Sequence, residues 1–177
     1  MKTVNRGTAT LTLQLAALLA FASFAQLVRA EDASVEALKA GIEGVYVLQE
    51  WHRNGEVMRP PLVDSRLVYL NGHTVFMSYD GSQDPKKTFA GYGVYILEAG
   101  KFSYRYETVS IVTQAVGGAS VSEKLPWEGL RRFAASIDGN GLHFRAIDGP
   151  QESWFTAEGL TYSDGTQKRI YRRVTDK

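Results

Sequence analysis

Tight-turn pairs punctuate this chain and set limits on its fold. Asparagine–glycine and aspartate–glycine pairs recur, and such pairs accept the positive φ angles of the turns that join antiparallel strands. They include Asn54-Gly55, Asn71-Gly72, Asp80-Gly81, Asn140-Gly141, Asp148-Gly149 and Asp164-Gly165. Because the segments between them are too short to hold crossover helices, the pattern favours an antiparallel all-β fold over a parallel sheet.

The segments between the turns are rich in Val, Ile, Tyr, Phe and Thr, which suit a pleated surface. We predict strands over 44–52, 66–70, 74–79, 91–98, 102–111, 130–138, 142–147, 153–157 and 168–174. The polar segments 80–90 and 112–126 contain Pro or Gly-Gly and are predicted to be mobile loops. One short helix is predicted over 31–42, where Val35, Leu38 and Ile42 share one face.

The first 30 residues are typical of a secretory signal peptide. Lys2 and Arg6 precede an apolar stretch over 11–27, and Val28-Arg29-Ala30 ends it with a small residue at the expected cleavage point. A retained membrane anchor is the alternative, although about 20 clean apolar residues are usually needed to span a bilayer. We therefore predict a protein that is exported, either to the periplasm or out of the cell, with one barrel domain over 43–177.

Composition excludes several classes of function. The chain has no cysteine, which removes disulfides, thiolate metal sites and cysteine nucleophiles. Its 20 Lys and Arg against 19 Asp and Glu give a balanced charge that argues against a nucleic-acid partner. Phosphate-loop, dinucleotide and metal-ligand spacings do not occur in the sequence, so no cofactor and no metal are expected. Lys86-Lys87 and Arg131-Arg132 are interpreted as solvated charge.

Five short motifs, in this order and spacing, carry a resemblance to a known family. They are Gly44-Val45-Tyr46-Val47-Leu48, the hairpin over 66–75, Gly91-Tyr92-Gly93-Val94-Tyr95, the pair of segments over 130–133 and 139–142, and Arg169-Ile170-Tyr171-Arg172-Arg173. Over 41–174 the chain resembles the bacterial lipocalin-like domains of the calycin superfamily, with Tyr46 where their first strand usually has Trp. The resemblance implies a single eight-stranded antiparallel up-and-down barrel, with a last-strand arginine over the first-strand aromatic.

Alternation predicts which side chains face the interior. It groups Phe102 with Tyr104 and Tyr106, Phe133 with Ala135 and Ile137, Leu142 with Phe144 and Ala146, Val75 with Met77 and Tyr79, and Tyr92 with Val94 and Ile96. An apolar wall with a few phenol hydroxyls is typical of a small-molecule pocket. We predict a small apolar or amphipathic ligand bound by Tyr46, Tyr79, Tyr92, Tyr104, Tyr106, Phe133 and Phe144, with Trp127 at the entrance.

Two other functions are compatible with the same residues. If Tyr46 faces inward, strict alternation puts Glu50 and His52 on that face, where they would form an acid/base pair for a cofactor-free isomerase or cyclase. The alternative for these two residues is a strand that turns polar as it leaves the core, with Trp51 packed outside the barrel. The other function is a filled barrel in the cell envelope that interacts through its loops and rims, since buried tyrosines often only fill a core.

Overall fold

The structure is a computed structural model that describes residues 34–114, 117–125, 129–139 and 141–175. The predicted signal peptide and Trp127 lie outside these residues. No helix of the described residues has the length and hydrophobicity needed to cross a membrane. The elements are α1 (Val35–Ile42), β1 (Gly44–Arg53), β2 (Glu56–Met58), β3 (Val63–Leu70), β4 (His73–Asp80), β5 (Lys86–Glu98), β6 (Lys101–Gln114), β7 (Ser120–Leu125), β8 (Arg131–Asp138), β9 (Gly141–Ala146), β10 (Glu152–Phe155), β11 (Gly159–Ser163) and β12 (Gln167–Val174).

Ten antiparallel strands form a closed barrel, in the order β1, β3, β4, β5, β6, β8, β9, β10, β11 and β12, and β12 pairs back onto β1. The all-β antiparallel barrel is as predicted, but the expected count of eight strands is wrong. Every strand predicted from the sequence is present, and β11 adds one that was missed. It has only five residues. Because it begins soon after β10 ends, the two strands look like one extended segment in the sequence.

Two strands lie outside the barrel path. β2 pairs with the distal half of β1, and β7 pairs with the distal half of β6 over Val109–Gln114. The predicted loops over 80–90 and 112–126 are therefore wrong in part, because β5 begins at Lys86, β6 continues to Gln114 and β7 follows. Most of β7 is exposed, and Glu123 lies between Val121 and Leu125 on the face they share, so the strand lacks the clear alternation that marks a half-buried strand.

Two of the predicted asparagine–glycine pairs form tight turns between antiparallel strands. Asn54 and Gly55 have φ angles of 54° and 80°, and Asn71 and Gly72 have 48° and 81°. Positive φ at both central residues is the geometry that asparagine–glycine pairs favour, and it matches the twist of the flanking strands. These turns fix the registers of β1 with β2 and of β3 with β4.

Helix α1 covers one end of the barrel. The Ser34 hydroxyl accepts a hydrogen bond from the Ala37 N–H and caps the helix, while Leu38 and Ile42 are fully buried in the core. The Tyr46 hydroxyl donates to the Ile42 carbonyl at 2.9 Å, which ties β1 to the helix. The guanidinium of Arg173 in β12 lies 5.9 Å from the Tyr46 ring, the arginine–aromatic contact expected from the resemblance.

The inner faces of β4 and β5 are opposite to those predicted. Val75 and Met77 are exposed, as are Tyr92 and Ile96, and the alternate residues of both strands face inward. Gly91 is one of these inward residues, and a Cβ there would lie 2.2 Å from the Phe76 ring. The inner position at Gly91 is small because an aromatic ring from β4 occupies the space, which hydrophobicity along β5 alone does not reveal.

A β-bulge in β1 reverses the alternation that the sequence suggests. The register with β12 shifts between Leu48 and Glu50, so one extra residue is inserted and the following side chains change face. Trp51 is consequently buried in the core, which corrects its expected position outside the barrel. Glu50 and His52 take the opposite face, so their expected place on the face of Tyr46 is also wrong.

Candidate ligand-binding site

A cavity of about 200 Å³ lies inside the barrel. The end of the barrel beneath α1 is filled by packed rings, including Tyr46, Tyr69 and Phe155. The cavity begins where these rings end, and Tyr69 and Phe155 are part of its lining. Its aromatic wall is formed by side chains from β4, β6, β8 and β9, namely Phe76, Phe102, Tyr104, Tyr106, Phe133 and Phe144.

The aromatic wall is one continuous set of ring contacts. Tyr104 stacks on Phe133 with centroids 5.8 Å apart and meets Tyr106 edge-on at 5.4 Å. Phe76 lies 4.8 Å from Tyr106, and Phe102 lies 5.1 Å from Phe144. Rings held against one another in this way present fixed faces and edges, so the wall is preorganised for an apolar ligand.

Hydroxyl groups from β3, β4 and β12 form a polar strip next to the aromatic wall. The Ser65 and Ser78 hydroxyls are 2.7 Å apart, and the Tyr171 hydroxyl donates to Ser65 at 3.3 Å. Ser65 and Ser78 are directly paired across β3 and β4, which explains why two small polar side chains meet in the interior. A few convergent polar groups on an apolar wall orient a bound molecule.

Two arginines complete the lining, Arg131 at the start of β8 and Arg169 in β12. The guanidinium of Arg169 lies 3.8 Å from the centroid of the Trp51 ring. Gln167 holds this arrangement, because its Oε1 accepts from the Trp51 indole N–H at 2.6 Å and its amide donates to Asp164 at 2.7 Å. The described residues that line the cavity include no acidic side chain.

Burial keeps three tyrosines of the cavity, Tyr104, Tyr106 and Tyr162, neutral at ordinary pH. Burial raises the pKa of Tyr106 well above its usual value, and it also raises the pKa of Tyr104 and of Tyr162. The nearby positive charge of Arg131 acts in the opposite direction on Tyr104 and, together with Arg169, on Tyr162. The phenols therefore keep their protons and can donate hydrogen bonds to an acceptor in the cavity.

The structure brings together half of the residues predicted to bind a ligand. Tyr104, Tyr106, Phe133 and Phe144 line the cavity. Tyr46 lies in the filled end, where burial raises its pKa to about 12.

The remaining predicted residues are placed elsewhere or not described. Tyr79 lies on the outward side of β4. Tyr92 stacks on His73 outside the barrel, and its hydroxyl is 2.9 Å from His73 Nδ1. Trp127 lies outside the described residues.

Sequence reasoning missed both cavity arginines. Arg131 was grouped with Arg132 as solvated charge, and both are exposed, but Arg131 also lines the cavity, because period-two alternation puts it on the face of Phe133 and Ala135. Arg169 shares a face with Tyr171 by the same rule. Alternation applied to charged as well as apolar residues would have identified both positions.

Glu50 and His52 contact each other, but neither residue lines the cavity. Their Oε2 and Nε2 atoms are 2.8 Å apart, and Arg59 also donates to Glu50. Hydrogen bonds from Arg59 and then His52 hold the pKa of Glu50 below its usual value. The two residues are close together as predicted, but they belong to a surface cluster that also contains Arg59.

The third histidine also lies on the outer surface. The His143 ring stacks on Trp154 with centroids 4.7 Å apart. Its Nε2 is 3.7 Å from a carboxylate oxygen of Glu152, which Arg145 also contacts. His143 alternates with the inward Phe144, which places it on the outer face of β9.

A second, wider depression of about 550 Å³ lies on the outer surface beside β5 and β6. Its lining includes Val94, Ile96, Arg105 and Leu130. This depression is the alternative location for an apolar ligand, and an experiment on ligand binding must distinguish it from the interior.

The chain was compared with known proteins at the level of families, curated sequences and solved structures. No family model matches it, and neither does any curated protein or solved structure.

Proposed function

We propose that this protein binds one small, mainly apolar molecule inside its barrel. The observation that carries the proposal is the aromatic cavity, enclosed by ten strands and bounded on one side by the packed rings beneath α1. Ligand sites in proteins are typically apolar, concave and largely preformed, with few polar groups. A barrel filled along its whole length would offer no such volume.

The size of the cavity limits the ligand. An apolar protein cavity of roughly 150 Å³ accepts benzene, so the present volume of about 200 Å³ has room for one aromatic ring and a short substituent. Ligand rings would contact the stacked pair Tyr104 and Phe133, and hydroxyl groups of the ligand would meet Ser78 and Tyr171. Neutral toluene is therefore a suitable probe of the apolar site.

The test uses a substitution that fills the cavity. Ser153 lines it from β10, opposite Phe144 in β9 and Tyr162 in β11. We expect wild-type protein to bind toluene saturably, and we expect Ser153→Phe to weaken toluene binding by at least about tenfold, which corresponds to ~1.4 kcal/mol. The added ring takes the volume that toluene requires. Isotope-labelled protein titrated with toluene by NMR gives the affinity of each variant.

Ser103→Phe is the matched control. Ser103 lies between the inward residues Phe102 and Tyr104 of β6, so the same substitution there adds a ring to the outer face. This variant should bind toluene like the wild type. Wild-type protein that does not bind toluene, or Ser153→Phe binding it with unchanged affinity, would overturn the proposal.

We also propose that the protein is an exported member of the lipocalin-like group. The basic, apolar and small-residue pattern of residues 1–30 supports export, and the Arg173–Tyr46 contact together with the antiparallel barrel supports the family. The expected mature protein begins at Glu31. Intact-mass measurement on protein from the cells that make it checks this, and an unprocessed N-terminus would contradict export by this route.

A further inference from the structure

We propose that the ligand carries a carboxylate, which Arg131 and Arg169 bind at the polar side of the interior cavity. This inference rests on the proposed function, because it assigns the chemical class of the molecule in the same cavity. It follows from three features: an unpaired buried donor, a fixed guanidinium and a lining with cationic but no acidic side chains among the described residues.

The unpaired donor belongs to Arg169. Within the described part of the chain, its Nε is buried and has no hydrogen-bond partner. Among the described residues its guanidinium donates one long hydrogen bond, 3.4 Å from Nη2 to Gln167 Oε1. A buried donor without an acceptor is unfavourable, so an oxygen atom of a ligand would satisfy a group that the described protein leaves unsatisfied.

The guanidinium of Arg169 is held in place before a ligand arrives. It stacks on Trp51, whose indole N–H is itself held by Gln167. Asp164 in turn accepts a hydrogen bond from the Gln167 amide. This chain of contacts reduces the side-chain entropy that binding would otherwise cost, and a planar guanidinium matches the two oxygens of a carboxylate.

The charge around the cavity favours an anion over a neutral ligand. Arg131 and Arg169 are the cationic residues among its described lining, and no described carboxylate lies within salt-bridge distance of Arg169. Arg131 and Arg169 line the cavity together with Tyr162, which pairs with Arg169 across β11 and β12. Both arginines lower the pKa of Tyr162, and Asp164, which does not line the cavity, raises it. A carboxylate there would receive charge-assisted hydrogen bonds while its apolar body contacts the aromatic wall.

The experiment compares three ligands that share one ring and differ in their substituent: benzoate, benzyl alcohol and toluene. Binding is followed at neutral pH on the indole N–H resonance of Trp51, which lies against Arg169. In the wild type we expect benzoate to bind at least about tenfold more tightly than benzyl alcohol, because hydrogen bonds to charged groups are the stronger class.

Variants of the two arginines separate the role of charge from that of the apolar cavity. Arg169→Met and Arg131→Met should each weaken benzoate binding by about tenfold and leave toluene binding within about twofold. Arg132→Met is the matched control, since Arg132 is exposed like Arg131 but lies on the outer face of β8, where it pairs with Ser103 and does not line the cavity. If Arg169→Met does not fold, Arg169→Lys tests the same point, because it keeps the charge and removes the fork of donors.

The outcomes distinguish this inference from the proposed function. Equal wild-type affinities for benzoate and benzyl alcohol, or benzoate binding unaffected by both arginine variants, would overturn the carboxylate assignment and leave the apolar site in place. Absence of binding for all three ligands would overturn the proposed function as well. Tighter binding of benzoate that is lost in the arginine variants but kept in Arg132→Met supports the assignment.

Discussion

Replacing Phe102 with alanine is expected to lower the free energy of unfolding by about 3–5 kcal/mol, the usual cost of truncating a buried phenylalanine. Phe102 is only 5% exposed and lies at the centre of the aromatic core. Its ring contacts five others, those of Tyr69, Tyr95, Tyr104, Phe133 and Phe144, with centroids 5.1–6.1 Å away. Without cysteines, the fold has no disulfide to compensate for the lost packing.

Equilibrium unfolding in urea measures this effect. Ile96→Ala is the control, because Ile96 lies on the adjacent strand but is 54% exposed, and its truncation should change the unfolding free energy by less than about 0.5 kcal/mol. A loss below about 1 kcal/mol for Phe102→Ala would mean that the barrel is not packed around this ring.

Asp80→Asn is expected to lower the free energy of unfolding by about 2–3 kcal/mol at neutral pH, since it removes a charged acceptor from a nearly buried network. Asp80 is 5% exposed. Its Oδ2 accepts from Arg53 at 2.8 Å and from Gln83 at 3.1 Å, and its Oδ1 accepts from the Ser82 hydroxyl at 2.5 Å. An asparagine retains one acceptor oxygen and leaves the Arg53 charge without its partner.

The effect of this substitution should depend on pH. Burial tends to raise the pKa of Asp80, but hydrogen bonds from Arg53 and Ser82 outweigh it, and the pKa lies below its usual value. A carboxyl whose pKa is lower in the folded state stabilises the fold fully above its unfolded pKa, and that contribution is lost as the pH falls towards the folded pKa. The difference between wild type and variant should therefore shrink below about pH 4.

Urea unfolding of both proteins across this pH range measures the difference. Asp138→Asn serves as the control, because Asp138 is exposed at the end of β8 and its loss should change stability by less than about 0.5 kcal/mol. A difference between wild type and Asp80→Asn that stays constant or grows as the pH falls would contradict the role assigned to the Arg53–Asp80 pair.

Features of the fold that depend on local sequence could be predicted. The Asn54-Gly55 and Asn71-Gly72 turns are set by residues that accept positive φ. Each of the nine predicted strands overlaps an observed one, although β2, which follows the first of these turns, was not predicted. The helix could also be predicted, because its apolar spacing and its Ser34 cap lie within a few residues. The number of strands in the barrel could not, since it depends on how short segments such as β11 pair with distant ones.

The faces of two strands were predicted wrongly for reasons that lie elsewhere in the chain. In β5 the outward face carries Tyr92 and Ile96, whereas the inward face carries Gly91, which leaves space for Phe76 of β4. In β1 a single inserted residue reverses the alternation before Trp51. Neither the space taken by a neighbouring ring nor the register with β12 can be read from the strand itself.

The candidate site was predicted in its apolar part only. Tyr104, Tyr106, Phe133 and Phe144 were identified because apolar alternation marks them, and they do line the cavity. The arginines were missed because charge is usually solvated. Their place in the cavity is recognisable when alternation is applied to charged residues as well, since Arg131 shares a face with Phe133 and Arg169 shares one with Tyr171.

Binding of a small ligand inside the barrel is tested most directly by locating bound toluene with NMR. Intermolecular nuclear Overhauser effects should connect the toluene methyl group with ring protons of Phe133 and Phe144, which line the cavity, and they should be absent for Val94 and Ile96 of the outer depression. Cross-peaks to Val94 and Ile96 alone would place the ligand outside the barrel and would contradict binding in the interior cavity.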